Sequence, residues 1–133
     1  MSEWEYDNSV NPDDYFGFIY KITNLDDGRI YIGQKQIHTY KGKGKKQTKK
    51  EGPWRKYWSS CKELKEDVKR LGEDKFKREI LHWCPEKAGM LYAEVFEQCR
   101  HNVLGITLTD GRRASYNANI MGKFYKSPDW FKP

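Results

Sequence analysis

Two tyrosines give this sequence its first chemical suggestion. Tyr20 ends the run Phe18-Ile19-Tyr20 and Tyr31 begins Tyr31-Ile32-Gly33, with ten residues between them. The first run lies in FGFIYKITN, rich in β-branched and aromatic residues; Leu25-Asp26-Asp27-Gly28 has turn chemistry, and RIYIG follows as a second strand. In a hairpin whose loop has an even number of residues, Tyr20 lies opposite residue 33 or 35. Side chains alternate along a strand, so the two phenols then share one sheet face, about 7 Å or less apart as diagonal neighbours. A phenol ionises at a pKa of about 10, so basic chemistry there requires a nearby cation or metal to favour the phenolate. Packing alone also pairs tyrosines across strands, and the pair gains meaning only from what surrounds it.

The elements that must position these groups follow in order. Residues 1–14 form an acidic arm, broken at Asn11-Pro12-Asp13 and expected to be mobile or to pack late, ahead of a domain assigned to 15–119. Residues 34–56 read as a basic, glycine-interrupted insertion. Lys41, Lys43, Lys45, Lys46, Lys49, Lys50 and Lys56 make it either a solvated loop or a grip for a phosphate backbone, and the two readings are compatible. A helix starts where Ser60 and Glu63 stand at capping-box spacing, runs through Leu64, Val68 and Leu71, and ends at Gly72. DKFKREILHW reads as a third strand. A second helix follows Pro85 with Ala88, Leu91, Tyr92, Val95 and Cys99 as its apolar stripe. From Gly105 the chain reads as irregular, and 120–133 is assigned to a C-terminal tail. The fold class is α+β, with helices flanking a small sheet of about three strands whose hairpin carries both tyrosines.

With that frame, GFIYKITNLDDGRIYIGQKQ resembles the paired motif of the GIY-YIG nuclease superfamily, most like its small phage-type and homing endonucleases. Phe18-Ile19-Tyr20 stands for GIY, with Phe18 at the glycine place, and Tyr31-Ile32-Gly33 matches YIG outright. The likeness runs over roughly 16–119, through the Ser59-Ser60 helix start, the FKREIL strand, a Glu-bearing helix and a late Tyr-Asn. It implies a metal-dependent endonuclease acting on DNA. Hydrolysis of a phosphodiester requires an activated water, neutralisation of charge on the phosphoryl oxygens, and help for the leaving oxygen. By resemblance, Tyr20 is the general base or water-orienting group, with Tyr31 its neighbour in one hydrogen-bond network. Glu94, within YAEVFEQ, is the metal ligand, with Glu97 one turn later open to confusion with it. The ion implied is Mg²⁺, with Mn²⁺ able to substitute, because one carboxylate plus waters and substrate oxygens suits it. Asn117 matches the late asparagine, with Asn119 close by. The cation is either Arg55, in Trp54-Arg55-Lys56-Tyr57, or Lys35, four residues past Tyr31.

Composition agrees with a polyanionic partner. The chain carries a net charge of +6, yet its first fourteen residues hold five acids and no Lys or Arg, so the remainder carries +11. Charge of that size attracts phosphate through counterion release, although an anionic membrane surface would answer to it as well. No apolar run approaches the roughly 20 residues of a membrane span, and the opening MSEWEYDNSV lacks a signal-peptide profile, so the expected setting is cytoplasmic, without membrane association. A non-catalytic nucleic-acid clamp on the same fold is the competing reading; monomer and homodimer both stay open. Three cysteines, an odd number, read as reduced thiols. His82 with Cys84 and Cys99 with His101 could be drawn as a zinc site, but their spacing is shorter than zinc pairs usually have, and the elements that carry them explain them otherwise.

Overall fold

β2 (Gly17–Asn24) is the strand on which the rest is assembled in this computed structural model, which describes residues 3–125. Its alternation divides the core into two layers. Phe18, Tyr20 and Ile22 enter one and Ile19 the other, each at most 1% exposed. β3 (Ile30–Gln36) returns antiparallel through a turn held by side chains: Asn24 Oδ1 accepts from the Asp26 N–H and Asp27 Oδ1 from that of Arg29. Gly28, at φ +85°, supplies the left-handed step. On its other side β2 pairs antiparallel with β6 (Phe76–Cys84).

The sheet has four strands rather than about three, in the order β1-β6-β2-β3. The addition is β1 (Trp4–Glu5), which comes from the acidic segment and runs parallel to β6. Trp4 is 8% exposed, lies edge-on at 5.2 Å to both Phe18 and Tyr20, and its indole N–H donates to the Trp54 carbonyl at 2.9 Å. A two-residue strand has no periodicity to detect. One tryptophan ties it down.

The first layer is aromatic: Trp4, Phe18, Tyr20, Trp54 and Phe76 pack with Leu64 and Val68 of α1 (Lys62–Leu71). Cys61, not Ser60, occupies the cap position of that helix, and no side chain caps it. The second layer joins Ile19, Ile32, Cys84, Val103 and Leu104 to Met90 of α2 (Lys87–Arg100).

α2 is rotated relative to the stripe expected of it. Leu91, Tyr92 and Phe96 are 46%, 74% and 49% exposed, whereas Met90, Glu97 and Gln98 are buried. Periodicity fixes the spacing of a helical face but not which face turns inward when both carry apolar residues. Here specific partners decide. Glu97 is held by Arg100 at 2.7 Å and Gln98 donates to the Ile32 carbonyl at 3.1 Å, so both polar groups are buried without an unmet hydrogen bond.

Two further pairings lie outside the sheet. Part of the basic stretch is an antiparallel ribbon, β4 (His38–Lys41) with β5 (Thr48–Glu51), and β7 (Asn119–Ile120) pairs with β8 (Phe124–Tyr125). The segment expected to be irregular lies along the open edge of β3: Ile30 N–H donates to the Ala114 carbonyl and Tyr116 N–H to that of Ile30. Of the tail assigned to 120–133, residues 126–133 lie outside the described residues.

Candidate active site

The tyrosine pair forms as the hairpin register dictates. Tyr20 lies opposite Gly33 and Ile22 opposite Tyr31, so the two phenols are diagonal neighbours with ring centroids 6.1 Å apart. Gly33 is what lets them meet. A Cβ there would stand 2.5 Å from the Tyr20 hydroxyl oxygen and 2.9 Å from the Tyr31 ring. Phe18, at the first motif's glycine place, fills the aromatic layer between Trp4, Trp54 and Trp83.

The two phenols differ in access. Tyr20 is 1% exposed and hydrogen-bonded to Tyr57; burial, then the neighbouring phenols, push its pKa well above the usual value. Tyr31 opens onto a cleft and is hydrogen-bonded to Ser60. Burial raises its pKa to about 12, the Ser60 bond working against the rise. Ser60 is therefore engaged with Tyr31 where a helix cap was expected. The Tyr57 ring packs 6.1 Å from that of Tyr20.

Glu94 reaches the same cleft from the opposite layer. α2 packs on the second face of the sheet, but β3 is an edge strand, and around that edge Tyr31, Cys61, Glu94, Gln98, Asn117 and Met121 line a cleft of ≈ 360 Å³. Burial raises the Glu94 pKa, and no hydrogen bond or opposite charge among the described residues offsets it. Its charge in turn contributes to the elevation of both tyrosines. Glu97, three residues on, is the reverse case. Burial works against its charge, but bonds from Arg100 and His82 outweigh that and hold the carboxyl low.

A half-buried carboxylate without a partner is a fitting ligand for a divalent cation. No three His, Cys, Asp or Glu gather as a ligand set among the described residues. One carboxylate beside an open cleft suits a hard cation that keeps most of its waters, which is the habit of Mg²⁺. The drawn zinc quartet has other attachments: His82 lies 3.5 Å from Glu97, His101 Nδ1 is 2.8 Å from the Glu97 carbonyl, Cys84 is buried and Cys99 exposed.

Asn117 is 4% exposed and works as an added piece of strand. Its Oδ1 accepts from the Ile32 N–H at 3.0 Å and its Nδ2 donates to the Ile32 carbonyl at 2.8 Å, gripping the residue between Tyr31 and Gly33. Ser115 Oγ donates to the same Oδ1. Asn119 also lines the cleft, but its Oδ1 accepts from the Gly122 N–H.

The two cation candidates part company. Lys35 places its Nζ 4.3 Å over the Tyr57 ring, next to the tyrosines. Arg55 is exposed, pairs with Glu51 at 3.3 Å and stacks on Trp54 at 4.2 Å, so those two partners hold its guanidinium. Among the basic-stretch lysines, Lys41, Lys43, Lys45, Lys49, Lys50 and Lys56 are exposed; the side chain of Lys46 lies outside what is described.

Sequence reasoning passed over Tyr57 and Gln98 and gave Ser60 only a place at a helix start. Gln98 was within reach, because it stands one helical turn after Glu94 and shares its face. Tyr57 and Ser60 come from a connection with no regular period. Its backbone includes Ser59 at φ +86°, whose hydroxyl accepts from the Cys61 N–H.

No curated protein and no solved structure matches the chain. Residues 2–120 match the family model described as "Putative endonuclease segE, GIY-YIG domain". A match over nearly the whole chain, with both tyrosines on one face of the hairpin, makes this protein a member of the GIY-YIG nuclease superfamily.

Proposed function

We propose that the protein is a divalent-metal-dependent endonuclease that hydrolyses phosphodiester bonds in DNA, working in the cytoplasm. The observation that carries this reading is one cleft in which Tyr31 meets Glu94, a carboxylate with no partner among the described residues, in a chain of an endonuclease family. Glu94 would hold Mg²⁺, or Mn²⁺ in its place; such an ion supplies Lewis-acid charge to the phosphoryl oxygens. Tyr31 orients the attacking water. At a pKa of about 12 it is a phenol at neutral pH in the free protein, so it acts through hydrogen bonding until a bound cation favours ionisation.

Tyr20 takes a different part from the one its motif suggests. Tyr20 is 1% exposed and is not among the residues that line the cleft, so it positions Tyr31 rather than meeting the attacking water itself. Lys35 is the cation of the network, in preference to Arg55. Asn117 positions the strand that carries Tyr31. Lys41, Lys43, Lys45, Lys46, Lys49, Lys50 and Lys56 hold the substrate backbone.

The test is incubation of the purified protein with duplex, branched and single-stranded DNA in Mg²⁺, Mn²⁺ or EDTA. Cleavage only with a divalent ion is the expected result. Binding without cleavage in either ion would make the fold a nucleic-acid clamp instead.

A further inference from the structure

The basic stretch is a built ribbon rather than a loose loop. β4 and β5 pair in the register Thr39↔Lys50, Tyr40↔Lys49 and Lys41↔Thr48, and the six residues joining them turn at Gly42 and Gly44, both with positive φ. Its root is fixed. The Ile37 N–H donates to the Phe16 carbonyl and the Gly52 N–H to that of Ile37; His38, 5% exposed, lies 3.3 Å from Asp13. Just past β5, Trp54 is 1% exposed and packed in the aromatic layer.

Beyond the root, every described side chain from 39 to 51 is exposed. The ribbon therefore covers no core. Glu51 is the only acid from 38 to 51, and it is already engaged by Arg55 and by the Trp54 indole at 2.9 Å. Among the described residues no carboxylate pairs with Lys43, Lys45, Lys49 or Lys50. Two strands about 4.8 Å apart with side chains on both faces fit a major groove about 12 Å wide, but not a minor groove about 6 Å wide. The major groove of an A-form RNA duplex is too narrow and deep to admit them.

We infer that the β4–β5 ribbon docks in the major groove of B-form DNA, its lysines meeting phosphates on the groove walls, and so selects duplex DNA as the substrate. The inference deepens the endonuclease reading and rests on it for the meaning of substrate, but docking itself requires no turnover. β3 leads through Ile37 directly into β4. The thirteen residue-to-residue steps from Tyr31 to Gly44 span at most about 45 Å, which sets groove contacts within about 13 base pairs of the cut.

The experiment measures binding in EDTA to a fluorescent DNA duplex, an RNA duplex of the same sequence and single-stranded DNA. It compares the native protein with a ribbon in which 42–47 are replaced by Asn-Gly, and with K43A/K45A/K49A, which leaves the root untouched. The native protein is expected to prefer the DNA duplex over the RNA duplex by about tenfold or more, both variants are expected to lose that preference, and methylation of guanine N7 in the major groove is expected to interfere. Native-like DNA binding by the variants, or no interference from N7 methylation, overturns the inference. Cleavage in Mg²⁺ is read on the same proteins. A native protein that cuts without ribbon dependence sinks the docking inference and leaves the nuclease reading standing; ribbon-dependent binding without any cutting does the opposite.

Discussion

Glu94 and Glu97 show how much an environment can separate two identical residues one helical turn apart. Glu97 is chelated by Arg100 and touched by His82, whereas Glu94 is half-buried with nothing among the described residues to neutralise it. Because burial raises the Glu94 pKa in the folded state, its protonated form favours folding. That contribution is complete below the unfolded pKa and is lost as pH rises through the folded one, so at pH 7 the charge opposes folding. Glu94→Gln is accordingly expected to raise the metal-free melting temperature at pH 7, on the order of a few degrees, with the gain vanishing toward pH 4. An unchanged or lower melting temperature would mean that Glu94 has a partner. Glu97 has its pKa held low, so its stabilisation is present above the unfolded pKa and fades as pH falls. Glu97→Gln should cost roughly 1–3 kcal/mol by denaturant titration at neutral pH. In the sequence the family resemblance put Glu94 first, although both lie on one helical face. Arg100, three residues after Glu97, was the clue that Glu97 was already engaged.

The hairpin and the edge that closes it make a site out of these residues. β2 and β3 were legible because apolar alternation and an Asp-Gly turn are local signals. β1, the β4–β5 ribbon and the pairing of 114–117 with β3 were not, for they depend on distant partners: Trp4 on Phe18 and Tyr20, and Asn117 on Ile32. The phase of α2 was misread for a related reason, since the Ile32 carbonyl that accepts from Gln98 belongs to another element. Asn117→Ala removes both bonds to Ile32 and should cost about 2–3 kcal/mol of stability. It should also slow cleavage about tenfold or more, because a misplacement of 1 Å near the reacting atoms costs up to about 10²-fold. Cleavage at the native rate in a destabilised Asn117→Ala protein would detach that asparagine from positioning Tyr31. Gly33→Ala is expected to be as damaging to cleavage, since its methyl would collide with the Tyr20 hydroxyl.

Taken together, the protein is a basic body carrying +11 beyond an acidic start, a cleft at one sheet edge, and a lysine-bearing ribbon continuing from the strand that lines that cleft. Among the described residues no helix is long and apolar enough to cross a membrane. Neutralising Lys43, Lys45, Lys49 and Lys50 together should flatten the dependence of log affinity on log salt by about 3.6, if each contacts one phosphate. An unchanged slope would move the grip elsewhere on the body. The sequence showed the charge but not its mounting, because a lysine-rich stretch has no apolar alternation to reveal a ribbon. The most direct test of the nuclease reading is single-turnover cleavage of duplex DNA in Mg²⁺ by the native protein and by Glu94→Gln, with DNA affinity measured in EDTA alongside. A rate lower by about 10²–10³-fold at nearly unchanged affinity is the predicted result; a Glu94→Gln protein that cuts at the native rate would contradict it.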